Sequence, residues 1–395
     1  MTVANTFEDV CVDPNTWDEA VALLGGSVYM TWDWLRTWWQ FYGNGRGLRL
    51  YVCAASGRIV GLIPLYIDEI GLWPLRFRVA RLVGANIPPK VFDPPLAEEW
   101  ATECVRKVVR HSIDADRCDM ISIGPVSATI EAWQSLQRDA AGFDGAVRVE
   151  CDTRAVHSRF LLPTSHSEYL RSLCKNEQKN RRKYELRSLR SAHAVEVSVI
   201  SGPVKTLLRE FDQFVELHGK QWQAEGKPGH FGAWPEGLAY NRALVKALGP
   251  LDRVRFVRIS ADGTTVSSQY VFSFTGRWYW ELPARFPGSD WDRFSLGPSG
   301  VVTMISEAIT RGVRCIEGGL GHYDYKLRLK AEEHAAITFR IYPSRLSSTL
   351  RRSIFSSLRG LLRLGYHKVW YRRVMPHLPG CFRHCQWRLW LRWDY

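Results

Sequence analysis

The chain has 395 residues, 46% hydrophobic and 24% charged, with 17 Trp and a formal net charge of +13 at pH 7. That length allows two or three domains with cores of their own, and the composition excludes a disordered, collagenous or membrane-embedded chain. The charge is local: residues 171–190 hold eight Lys and Arg against Glu177 and Glu185, and residues 346–395 hold ten against Asp394 alone. The remainder is nearly neutral, so two segments face something acidic.

Nine cysteines without a C-x-x-C pair make neither a disulfide scaffold nor a structural zinc site, and they fit a reducing compartment. Cys381, His384 and Cys385 are too crowded to surround a tetrahedral ion, so no metal is expected. No basic-then-apolar leader is visible, and no apolar run reaches the ~18–20 residues that span a bilayer. The expected location is the cytoplasm.

In chain order, helical periodicity at 17–24 precedes an aromatic helix at 32–42, whose rings fall on several faces and call for burial on most sides. Strands follow at 48–55 and 58–67 across a Ser56-Gly57 turn, and at 77–83. A helix at 97–111, a strand at 118–123, a helix at 127–140 and strands at 146–150 and 158–162 complete the first half. In the second half, Ser165-His-Ser-Glu168 is a capping box for a helix through the basic cluster. A strand at 195–200, helices at 204–224 and 236–248, and a meander of strands at 254–260, 265–274 and 277–282 come next. A glycine-bearing loop at 295–300 opens a helix at 301–311, followed by strands at 313–317 and 336–342. The same element order occurs twice, so the expected fold is α/β (α+β). It consists of tandem units, each a mixed sheet with an antiparallel meander followed by βαβ and flanked by helices. The expected divisions are residues 1–162, 163–345 and a basic tail at 346–395.

A glycine loop at a helix N-terminus suits a phosphate, because unpaired N–H groups and the positive dipole end meet there. An ordinary strand-to-helix turn, with Pro298 in the first turn and Ser295 or Ser299 as cap, explains the same residues.

Several short motifs in fixed order resemble a known family. They are Lys179-Asn-Arg-Arg182, Phe214-Val-Glu-Leu-His218 with Trp222 and Gly226, the 295–300 loop, and Cys315-Ile-Glu-Gly-Gly319 followed by Tyr325-Lys326. Together they resemble the CelD-type acyltransferases of bacterial polysaccharide synthesis, in the GNAT superfamily, which are similar to the FemABX aminoacyltransferases with their duplicated GNAT unit. The resemblance covers about residues 20–345. Gly297-Pro-Ser-Gly300 departs from the usual GNAT loop pattern Arg/Gln-x-x-Gly-x-Gly/Ala.

The resemblance implies acyl transfer from acetyl-CoA or another acyl-CoA to an amine or hydroxyl, without a covalent intermediate. Ser295, Gly297, Ser299 and Gly300 would then hold the CoA pyrophosphate. Glu317, at a strand end, is the candidate base, Tyr325 the proton donor to the departing thiolate, and Lys326 a holder of a substrate carboxylate or phosphate. A solvent-facing strand end is the alternative for Glu317, and packing is the alternative for Tyr325 and Lys326. Lys179 and Arg182, at i, i+3 on a helix, suit an anionic substrate, for which CoA's 3′-phosphate, a nucleotide-linked sugar, a polyprenyl-pyrophosphate glycan or tRNA would each serve, or are a solvated basic face. His218 and Trp222 share a helix face and Gln269 lies in the meander. All three are candidate substrate contacts, with packing as the alternative.

The tail lies outside the resemblance. Apolar and aromatic residues at helical spacing, from Ile354 through Trp370, alternate with Arg and Lys, and Trp387, Trp390 and Trp393 follow among Arg388 and Arg392. This pattern suits an anionic membrane surface. Packing on the body comes second and nucleic acid third. The expected activity is that of an acyl-CoA-dependent N- or O-acyltransferase on a sugar, nucleotide-sugar or lipid-linked glycan, peripheral on the inner membrane face. An aminoacyl-tRNA-dependent transferase and a non-catalytic membrane-associated adaptor are the alternatives.

Overall fold

The computed structural model describes residues 1–71, 76–85, 90–139, 147–226, 229–233, 236–374 and 377–378. The chain forms two compact units, one of residues 1–155 with 233–235 and 336–395, the other of residues 156–232 with 236–335. The strands are β1 (Thr2–Ala4), β2 (Gly47–Ala55), β3 (Arg58–Ile70), β4 (Phe77–Leu82), β5 (Met120–Ser127), β6 (Val147–Leu161), β7 (Val195–Ile200), β8 (Val254–Ala261), β9 (Thr264–Phe274), β10 (Arg277–Arg285), β11 (Cys315–Leu320) and β12 (Glu332–Pro343).

In the first unit the strands run β1-β2-β3-β4-β5-β12. The first four are antiparallel, β5 lies parallel to β4, and β12 lies antiparallel to β5. In the second unit they run β7-β8-β9-β10-β11-β6, again with four antiparallel strands, a parallel β11 and an antiparallel sixth strand. The expected mixed α/β class and the twice-used element order are therefore both present. The sixth strands differ from expectation. β6 follows the first unit's helices but pairs with β11, and β12 follows the second unit's helices but pairs with β5.

Local departures have physical reasons. The two strands expected at 146–150 and 158–162 are replaced by one strand, β6 at Val147–Leu161, because the intervening 151–157 carry no turn-forming Gly or Pro and stay extended. The helix expected through the basic cluster is four short turns, His166–Ser172, Lys175–Gln178, Arg181–Tyr184 and Arg187–Arg190. The capping box does form, with Ser165 Oγ accepting from the Glu168 amide at 3.2 Å. Beyond it, Leu173, Tyr184, Leu186 and Leu189 are the buried apolar anchors, and they do not recur at a 3.6-residue period. One straight helix could not bury them all. Leu186 takes a left-handed conformation at φ 56° to reach the core.

In the first unit, Trp32–Tyr42 buries Trp32, Trp34, Leu35, Thr37 and Trp38, and Trp38 stacks on Tyr66 of β3 at 5.3 Å. The C-terminal helix Leu346–Leu364 packs on this unit by one face. Phe355 stacks on Phe77 at 4.5 Å. The buried Asp119 accepts from Ser348 Oγ at 2.8 Å and from Arg351 Nε and Nη2 at 3.0 and 2.6 Å. The start of the tail therefore has the packing role weighed in the sequence. Trp387, Trp390, Trp393, Arg388, Arg392, Cys381, His384 and Cys385 lie outside the described residues.

Asp119 also accepts from the Arg78 amide at 3.1 Å, so it ties β4 to the C-terminal helix. Asp119→Ala should lower stability by about 2–4 kcal/mol, the effect of losing several hydrogen bonds to one buried carboxylate. Chemical denaturation measures this, and a loss below about 0.5 kcal/mol would contradict the anchoring role.

Candidate functional site

β10 and β11 pair in parallel only at Arg277 with Cys315, Trp278 with Ile316, and Tyr279 with Glu317. Beyond that point β10 continues along β9 while β11 continues along β6. A bulge between Trp280 and Leu282 marks the divergence. Backbone groups on the facing edges of the two strands are thereby released from ladder pairing. Helix Val204–Ala224 holds the far part of β10. The Nδ1–H of His218 donates to the Pro283 carbonyl at 3.0 Å, and the Arg285 amide donates to Gln221 Oε1 at 3.0 Å.

Lys326 sits at this divergence. It is 5% exposed, its Nζ donates to the Gly318 carbonyl at 2.6 Å, and it lies 5.5 Å from the Trp280 ring centre and 4.3 Å from that of Tyr323. The first residue past the pairing on each strand, Trp280 and Gly318, therefore contacts one buried ammonium. Tyr325 meets Trp280 edge-on at 6.4 Å, and burial raises its hydroxyl pKa well above the ordinary value. It keeps its proton at neutral pH.

A cleft of about 170 Å³ opens beside Tyr325, lined by Glu177, Asn180, Tyr184, Ser295, Arg328 and their neighbours. Three regions singled out in the sequence thus meet: the basic segment, the glycine-bearing turn and the Tyr-Lys pair. Tyr184 OH donates to Glu177 Oε2, Arg328 Nε lies 3.7 Å from Glu177 Oε1, and Lys183 Nζ donates to Ser295 Oγ at 3.2 Å. Lys183, Asn180, Tyr184 and Arg328 were not singled out. Lys183 stood within the basic run and Arg328 two residues past Lys326, but nothing in their spacing distinguished them from neighbours. Lys179 and Arg182, which were singled out, are exposed and fall on separate turns, so they do not share a helix face.

The glycine-bearing segment differs from expectation. Helix Leu296–Thr310 already includes Gly297 to Gly300, and Ser295, at φ 52°, is its left-handed cap. Pro298 lacks an N–H and the Ser299 amide closes onto the Ser295 carbonyl at 3.0 Å. Only the Leu296 and Gly297 amides of the first turn then remain for a ligand. Ser299 is fully buried, and its hydroxyl is 3.2 Å from the carbonyls of Lys183 and Phe294, so it stitches the fold and does not face a ligand. Gly300 is required by packing, since a Cβ there would lie 2.3 Å from Ser267 Oγ and 2.7 Å from Gln269 Nε2. Gln269 is itself buried beneath this helix, donating to Ser267 Oγ at 3.3 Å.

The other singled-out residues are committed to internal contacts. Glu317 Oε1 lies 3.1 Å from Arg159 Nε and 3.9 Å from Arg277 Nη1. Accepting a proton would break both ion pairs, so the carboxylate suits an anchor better than a base. His218 stacks on Phe214 at 5.8 Å and its Nε2 faces His230 Nδ1 at 3.1 Å, while Trp222 packs edge-on against His230 at 5.0 Å. Both His218 nitrogens are engaged. Among the described residues no group of His, Cys, Asp and Glu is arranged to hold a metal ion.

Residues 176–327 match the family described as Acetyltransferase (GNAT) domain. The matched stretch is 152 of the 395 residues. No curated protein matches the sequence. Among solved structures, FemX is 12% identical, with 90% of this chain and all of that one covered at a TM-score of 0.62. L-PGS from Bacillus licheniformis is 11% identical, covering 87% and 96% at 0.50. A conserved protein of unknown function from Bacteroides thetaiotaomicron is 12% identical, covering 84% and 98% at 0.50. At these identities the likeness is one of fold, and the stretch that the GNAT family model matches includes β10 and β11, where they part. An acyltransferase is the enzyme class that this domain supports, whereas the CelD-type assignment within it finds no support in these matches.

Burial holds the pKa of His218 at about 4 and that of His157 at about 4, both below the ordinary 6.5. The unfolded chain therefore binds more protons between about pH 6.5 and 4, so stability present above pH 6.5 is lost as pH falls through that window. His218→Gln should make the stability–pH slope shallower by about 1.4 kcal/mol per pH unit near pH 5. An unchanged slope in denaturation at several pH values would contradict the neutral, buried histidine.

Proposed function

We propose that the second unit transfers an acyl group directly from an acyl-CoA to an amine or hydroxyl acceptor. The observation that carries this reading is the divergence of β10 from β11 over a buried Lys326. Direct transfer needs an opening that takes a thioester edge-on, a donor for the carbonyl oxygen and a group that returns a proton to the departing sulfur. The parted strands supply unladdered backbone N–H groups for the first two needs. Lys326 places positive charge where negative charge develops, in surroundings that screen it little. Tyr325, protonated at neutral pH, is within the same group of side chains and suits the proton return.

In this reading the cleft beside Ser295 accepts the phosphate-bearing part of the donor. The Leu296 and Gly297 amides lie at the positive end of the helix, with Lys183 and Arg328 close by. An anionic sugar or lipid-linked glycan is the acceptor class that fits the basic surface of Lys179 and Arg182. Acceptor deprotonation is assigned to solvent or to the acceptor's own acidity, because Glu317 is held by two arginines and His218 has no open nitrogen.

Acetyl-CoA at a hundredfold excess over its dissociation constant should stabilise the protein by about 2.7 kcal/mol, read as a rise in thermal midpoint. Adenosine 3′,5′-bisphosphate should reproduce part of the rise. No rise with either compound would overturn the acyl-CoA reading in favour of an aminoacyl-tRNA donor or a non-catalytic role.

A further inference from the structure

The C-terminal helix Leu346–Leu364 has two apolar faces, and the first unit uses only one. Ser348 and Phe355 mark the seated face, through Asp119 and Phe77. Arg352 lies over the Tyr342 ring at 4.3 Å. On the other side Leu346, Leu350, Leu358, Leu361 and Leu364 are exposed by 44% to 89%. At 100° per residue these five fall within about 120° of the helix circumference, an arc centred about 120° from Phe355, with Leu346 and Leu364 on the side opposite it. A monomer in water seldom leaves a row of leucines so open, and such rows mark contact surfaces.

Charge selects the partner. From residue 346 to the end, ten Lys and Arg stand against Asp394 alone. Arg351 is committed to Asp119, but Lys368 and Arg373 are exposed on the turns that continue the helix. No helix among the described residues is long and apolar enough to cross a membrane. An apolar stripe with cations beyond it, on a helix fixed to a folded unit by its opposite face, matches the surface of an anionic bilayer. There the leucines enter the acyl boundary and the cations stay at the phosphates.

We propose that the leucine face of Leu346–Leu364 is a docking surface for an anionic lipid leaflet, and that it lays the first unit against the membrane without spanning it. The proposal is independent of the donor that the second unit uses. It also gives the exposed Lys368 and Arg373 a role at the leaflet surface.

The test uses the full chain in flotation with vesicles of phosphatidylglycerol and phosphatidylcholine at 1:3, and of phosphatidylcholine alone. Wild-type protein should float with the mixed vesicles and partition at least tenfold less onto the neutral ones, with partial loss in 0.5 M salt. The double variant Leu350→Glu/Leu361→Glu should lose at least tenfold of the partition while keeping its thermal midpoint. If that variant does not fold, Lys368→Glu/Arg373→Glu decides, because it alters only exposed charges and should weaken binding to the mixed vesicles alone. Absence of wild-type flotation, or equal flotation of wild type and the folded variants, overturns the proposal. So does a wild-type dimer that the leucine variant makes monomeric without any vesicle binding, which would assign the face to a second copy of the chain.

Discussion

The structure of the second unit turns on the short parallel pairing of β10 with β11. Three residue pairs hold the two strands together, and then each strand is claimed by a different neighbour. β9 continues to pair with β10 as far as Arg285 and Ser267, and helix Val204–Ala224 adds the His218–Pro283 and Gln221–Arg285 bonds. β6 takes β11 from Cys315 to Leu320. The opening is therefore held from both sides, and closing it would cost those bonds. Lys326 is stabilised inside it by the Gly318 carbonyl and two rings, which offset the desolvation of an ammonium.

That constraint explains which residues are structural. Gly300 lets the helix after β10 lie close enough to β9 to bury Ser267 and Gln269. Glu317 ends the paired stretch and, between Arg159 and Arg277, joins β11 to β6 and to the start of β10. Substituting either residue would change the scaffold of the opening before any chemistry.

Much of the fold was legible because it rests on local signals. The runs at 48–55 and 58–67 across the Ser56-Gly57 turn, and those at 254–260, 265–274 and 277–282, identify both meanders, and the Ser165 cap forms as written. The exchange of β6 and β12 is not legible, since a strand's residue pattern states that it pairs and not with which neighbour. The basic segment has the charge spacing of one helix, but its apolar anchors Tyr184, Leu186 and Leu189 are buried only when it breaks into short turns. In the site, Tyr325 and Ser295 do line the cleft, whereas Glu317 is held by arginines of β6 and β10, His218 by Pro283 and His230, and Gln269 lies buried beneath the helix Leu296–Thr310. Lys183 and Arg328 could be recognised only once folding brought 177–184 against 295 and 325–328.

The central claim is that the parted strands receive an acyl-CoA. Amide hydrogen exchange of the full protein, with and without acetyl-CoA, tests it most directly. The account predicts slowed exchange concentrated in 277–285, 295–300 and 315–328, with the first unit unchanged. Protection confined to the first unit, or absent at saturating acetyl-CoA, would contradict it.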